Sequence, residues 1–145
     1  MPVRFSFLLL VVLTLVIAGC SGGQSPYMLA PESELPQFLQ DAPPTVREAY
    51  RFAIHNVHEL EKYPCYCGCG AMGHTSNLDC YIQDIDEADS VTFDQHAAGC
   101  GICVDITQDV MRLLKEGRSS PEIRTYVDAQ YSSFGPSTDT PFPQG

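Results

Sequence analysis

Of the seven cysteines in this chain, three alternate with other residues at Cys65, Cys67 and Cys69. Cys80 follows, and Cys100 and Cys103 form a Cys-x-x-Cys pair further on. Residues two apart point the same way in an extended chain. Gly68 and Gly70 also let the backbone curl, so either conformation can aim the first three sulfurs at one centre. His96, Cys100 and Cys103 are spaced i, i+4 and i+7, which is one stripe on one face of a helix. A loop offering three or four thiolates, set against a helix offering two thiolates and an imidazole, is a metal-site arrangement. His74, directly after Gly73 in the loop, is a further candidate ligand. Six sulfurs exceed one tetrahedral site, so the pattern fits a polynuclear centre, or a site plus a disulfide.

Two other chemistries use the same residues. An even number of exported cysteines can form disulfides that staple a small core, giving a binding module with no chemistry of its own. Cys65, Cys67 and Cys69 would then need Cys80, Cys100 and Cys103 as partners, so even this form gathers all the sulfurs in one place. Alternatively, Cys100 and Cys103 have the spacing of a thiol–disulfide exchange pair. For a metal, soft thiolates favour Cu(I), Zn(II) or iron–sulfur clusters. Cu(I) accepts two or three thiolates and shares bridging sulfurs, which suits crowded Cys-x-Cys spacing, and Met72 adds a thioether nearby. Copper is therefore expected ahead of zinc.

The remaining polar residues carry less. His55 and His58 lie one turn apart on a helical stretch and read as surface or packing residues. Tyr63, Tyr66 and Tyr81 flank the cysteines and should pack around the site, with hydroxyls bonded at its rim. The acidic run Asp84 to Asp89 reads as a solvated loop, since a calcium loop needs more regularly spaced oxygens. There is no Gly-x-Ser-x-Gly elbow, His-Glu-x-x-His or phosphate loop, so hydrolytic catalysis has no support and a non-enzymatic role is expected.

These residues need elements to hold them. Apolar positions Val46, Ala49, Tyr50, Ala53, Val57 and Leu60 have helical spacing, so a first helix is expected from Pro43-Pro44-Thr45 to Lys62, stopped by Pro64. A second is expected from about Thr92 to Glu116 with Ile102, Ile106, Val110, Leu113 and Leu114 inward, closed by Gly117. A third begins with Ser120 as N-cap and Pro121 at the first helical position. Between Cys65 and Ser90 no helix or strand pattern is evident. The expected fold is all-α: a small three- to four-helix domain with a cysteine-rich loop between its first two helices. The expected layout is 1–19 signal peptide, 20–44 tether, 45–134 folded domain and 135–145 flexible tail.

The amino terminus sets the expected compartment. Arg4 precedes an apolar run from Phe5 to Val16, too short for a bilayer span but the length of a signal-peptide core. Ile17-Ala18-Gly19-Cys20 resembles a bacterial lipobox, which implies acylation of Cys20 and an anchor on the membrane. A net charge of −10, from 8 basic and 18 acidic residues, disfavours nucleic acid as a partner. A metal cation and an extracytoplasmic or membrane protein remain compatible with it.

The string Pro64-Cys65-Tyr66-Cys67-Gly68-Cys69, with Gly73-His74, Asp79-Cys80-Tyr81, His96-Ala97 and Cys100-x-x-Cys103 after it, resembles the bacterial lipoproteins named for their PCYCGC motif. The resemblance runs from about Tyr50 to Tyr131. It implies a one-domain lipoprotein and names no reaction.

Overall fold

The structure, a computed structural model, describes residues 25–144. The expected signal segment and Cys20 lie outside the described residues. Among the described residues, five α-helices and one β-hairpin make up the regular structure: α1 Pro44–His55, α2 Val57–Leu60, β1 Ile82–Ile85, β2 Val91–Phe93, α3 His96–Gly99, α4 Gly101–Lys115 and α5 Ser120–Tyr131. Short 3-10 turns at Glu32–Glu34, Gln37–Leu39, Cys69–Met72 and Leu78–Cys80 fill the connections. The fold is helix-rich but not purely all-α. Among the described residues no helix is long and apolar enough to cross a membrane.

Helix α4 is the spine, packed against both α1 and α5. Its apolar row Ile106, Val110 and Leu113 is buried with Ala49, Phe52 and Ala53 of α1 and Ile123 and Val127 of α5. Burying each large side chain stabilises the fold by about 1.5–3 kcal/mol. Gln108 donates to the Thr45 carbonyl of α1 at 3.1 Å, and the Tyr131 hydroxyl of α5 donates to Asp109 at 2.7 Å, fixing both packings. Helix α4 ends as expected at Gly117, whose φ of +77° suits glycine. The Gly117 and Arg118 N–H groups bond back to Leu114 and Leu113 carbonyls at 2.9 and 3.0 Å, a Schellman closure.

Several expected boundaries move. The first helix stops at His55, not Lys62, because the Asn56 amide turns aside to the carbonyls of Met28 and Phe52 at 2.7 and 2.8 Å. The N-cap of the third is Ser119 rather than Ser120, since Glu122 lies three residues on and closes a capping box with Ser119. The expected helix from Thr92 is interrupted: Val91–Phe93 is a strand, and Cys100 is extended (φ −122°, ψ 103°) between α3 and α4. Glycines on both sides of Cys100 remove the helical preference that would have bridged the gap.

The hairpin itself was not expected. Strands β1 and β2 pair antiparallel in the register Ile82↔Phe93, Asp84↔Thr92 and Ile85↔Val91, with an irregularity between Ile82 and Asp84. The acidic run forms its exposed tip, where the Asp86 carboxylate accepts from Ala88 and Ser90 N–H at 2.8 and 2.9 Å.

The flanks lie against the helices. Tyr27 meets Phe52 edge-on at 5.1 Å, Ala30 and Leu39 are buried, and Ala30 N–H donates to the Arg51 carbonyl at 3.0 Å. After α5 the chain doubles back. Buried Arg124 donates to the Thr140 and Pro141 carbonyls at 2.9 and 3.1 Å. The described parts of 20–44 and 135–145, expected as tether and tail, are thus attached to the domain by isolated anchors, which a search for periodicity passes over.

Candidate metal centre

The cysteine loop is held from behind. Cys65 is clamped by the returning tail: its N–H donates to Thr138 Oγ1 at 3.0 Å, and Thr138 N–H donates to the Cys65 carbonyl at 2.9 Å. Tyr66, between the first two cysteines, donates its hydroxyl to Asp128 of α5 at 2.7 Å. Gly68 then adopts φ +85°, a left-handed turn that a side chain would strain, and this folds Cys69 back toward Cys65. Further on, the Asp79 carboxylate accepts from Thr75 N–H at 2.6 Å and Thr75 hydroxyl at 3.0 Å, shaping the turn that presents Cys80.

From the other side α4 delivers Cys103. The Tyr81 hydroxyl donates to the Cys103 carbonyl at 2.8 Å and meets Thr107 Oγ1 at 2.7 Å, while the Asn77 amide donates to Thr107 at 2.8 Å. All of these groups are buried. This buried network, in which only the Asn77 Oδ1 lacks a partner among the described residues, fixes the first turn of α4 against the loop.

Between the two sides the sulfurs converge. Cys65 Sγ lies 3.3 Å from both Cys67 Sγ and Cys103 Sγ, Cys67 and Cys103 are 3.7 Å apart, and Cys69 and Cys80 are 3.7 Å apart. Two sulfurs on one tetrahedral ion at about 2.3 Å would lie about 3.8 Å from each other. The ligand atoms form two sets, each mutually within 4.8 Å: Cys65, Cys67, Cys69 and Cys80; and Cys67, His96, Cys100 and Cys103. His96 Nε2 reaches Cys67 Sγ at 3.2 Å. The six described cysteines are free thiols, with no disulfide among them.

A family model described as "Protein of unknown function with PCYCGC motif" matches residues 26–143. The chain belongs to this PCYCGC family. No curated protein and no solved structure matches the chain.

In the PCYCGC centre the thiols do not titrate alone. Contact with the Cys103 thiol, then with Cys80, pulls Cys65 down to about 2, and contact with Cys65 pushes Cys103 far above its usual value. Burial raises Cys69, helped by the negative charge on Cys65. Burial also raises Cys67, helped by its bond to Cys65. Cys103 draws Cys80 down, but contact with Cys65 and burial outweigh that and leave Cys80 raised. These contacts thus favour the charged form at Cys65 and oppose it at Cys67, Cys69, Cys80 and Cys103. A bound cation reverses the balance by compensating the thiolates.

His74 falls in neither four-ligand set. Its Nδ1 lies 3.5 Å from Cys80 Sγ, and its Nε2 lies 3.8 Å from an Asp94 carboxylate oxygen. It bridges a sulfur and a carboxylate as groups behind metal ligands do. Asp94, which sequence reasoning missed, also accepts from the His96 N–H at 2.6 Å and so positions both histidines. Its place two residues before His96 was the one available signal. Thr138 and Asn77 carried none.

The histidine rings meet edge to face at 5.5 Å and line an open groove of about 980 Å³ together with Met72, Phe93 and Asp94. His55 and His58 lie elsewhere, paired with Glu34 and Glu61 at 3.4 and 3.3 Å. The Tyr63 hydroxyl bonds Glu59 and the Tyr66 hydroxyl bonds Asp128, both outside the two ligand sets, whereas the Tyr81 hydroxyl lies beneath Cys103.

Proposed function

We propose that this PCYCGC protein is a lipid-anchored, extracytoplasmic metal-binding protein that holds Cu(I) in preference to zinc, as a chaperone, sensor or storage module. The observation that carries the reading is the convergence of six thiols and His96 into one continuous cluster. Copper is favoured by sulfur contacts dense enough for bridging thiolates and by the exposed Met72 thioether at the groove. Anchoring rests on the apolar run from Phe5 to Val16 and on Cys20 after Ile17-Ala18-Gly19. The acidic surface suits a partner protein with a basic face, on the membrane or outside it.

The test is a native mass spectrum of the chain, purified without oxygen, before and after addition of Cu(I) or Zn(II). Defined metal increments that vanish in the Cys67→Ser, Cys100→Ser double variant support the reading, and larger retention of Cu(I) in competition with Zn(II) supports copper. A second reading has Cys100 and Cys103 exchanging between dithiol and disulfide. It is favoured by the position of Cys100 at the start of α4, within 4.8 Å of Cys103 at their sulfurs. Reversible loss of two hydrogens from that pair, with no metal uptake, would select it.

A further inference from the structure

We propose that the centre holds two metal ions bridged by Cys67, one retained among Cys65, Cys67, Cys69 and Cys80 and the other exchanging through Cys67, His96, Cys100 and Cys103. This rests on the metal-binding reading above and adds its nuclearity and its route of exchange.

The two ligand sets have only Cys67 in common. Each set offers four atoms within 4.8 Å of one another, which is what one tetrahedral ion requires. Two four-coordinate ions sharing a single bridging thiolate use every member of both sets and leave no sulfur unassigned. One four-coordinate ion alone would leave Cys65, Cys69 and Cys80, or His96, Cys100 and Cys103, without a role at the centre.

The two positions differ in access. Cys65, Cys69 and Cys80 are buried, and behind them stand the Thr138 clamp and the Asp79 turn. In the other set only Cys103 is buried. His96 lines the open groove, and Cys100 sits between Gly99 and Gly101, where an added Cβ would meet nothing within 4 Å. An incoming ligand can therefore reach the second ion without moving the chain, whereas reaching the first means displacing the tail or the loop. The second set also replaces one thiolate by a neutral imidazole, so it holds a cation with less negative charge. Both differences make it the exchanging position.

The experiment uses Zn(II) as the probe on the full chain in mild detergent, purified without oxygen. Native mass spectrometry counts the ions, and a colorimetric chelator follows their release. The expected result is two Zn(II) per chain, released in two phases whose rates differ by at least tenfold. The His96→Ala, Cys100→Ser double variant should keep the slow ion and lose the fast one, and Cys69→Ser should lose the slow ion. Release in a single phase, or a wild-type chain that saturates at one Zn(II), would overturn the two-ion proposal and leave the metal-binding reading standing. No uptake of Zn(II) or Cu(I) by the wild-type chain would overturn both. The wild-type release curve decides the matter even if a variant fails to fold.

Discussion

The two halves of α4 are held in place by different chemistry. From Ile106 to Leu113 the inward row of Ile106, Val110 and Leu113 is buried among apolar side chains of α1 and α5. Its first turn instead carries Cys103 into a cluster of thiols, where its sulfur faces those of Cys65 and Cys67. Hydrocarbon packing stabilises whatever the solvent contains. Sulfur packing of this density sets thiols competing for negative charge, a balance that a bound cation would change. One end of a single helix thus belongs to a self-sufficient core, and the other to a thiol cluster with the donor set of a metal site.

The largest effect should come from the metal itself. Loading should stabilise the chain by about 4 kcal/mol when free metal is a thousandfold above its dissociation constant. Cys67→Ser should abolish that gain while leaving the far-ultraviolet circular dichroism of the metal-free protein unchanged. Next, Ile106→Ala should cost about 3 kcal/mol in chemical denaturation, equally with and without metal. An unequal cost would mean that the two halves of α4 are not separable.

Tyr81→Phe probes the border between them. It removes the hydroxyl under Cys103 and should cost about 1–2 kcal/mol, with faster metal release because the first turn of α4 loosens. The smallest effect belongs to the far end of the domain. Ser119→Ala should cost about 1 kcal/mol through loss of the α5 cap and should leave metal release untouched.

How far the chain could be read in advance follows the same division. Where periodic apolar residues pack on one another, as in α1 and the second half of α4, the pattern is visible and the element appeared. Gly117, and Ser120 read as the cap before Pro121, marked the α4–α5 turn to within a residue of the observed Ser119 cap. That the cysteines and His96 gather in one place was legible from type and spacing, although the single helix expected to carry His96, Cys100 and Cys103 is broken at Cys100. They converge regardless, because α3 and the extended Cys100 deliver the same side chains to the same place. The hairpin was not legible: its strands are short, and its polar, acidic sequence carries almost no alternation. Nor were the flanks, since Tyr27, Leu39 and Thr138 act as single anchors whose partners are far away in sequence. Asp94 became meaningful only once both histidines were seen to share it.

The most direct test of the central claim is the metal content and thiol state of the full chain as isolated without oxygen and without added metal. Elemental analysis would be set beside mass spectrometry after alkylation of free thiols. The account predicts bound metal together with cysteines that resist alkylation until a chelator and denaturant are added, after which all six react. A metal-free chain six hydrogens light, with every one of these six cysteines in a disulfide, would contradict it.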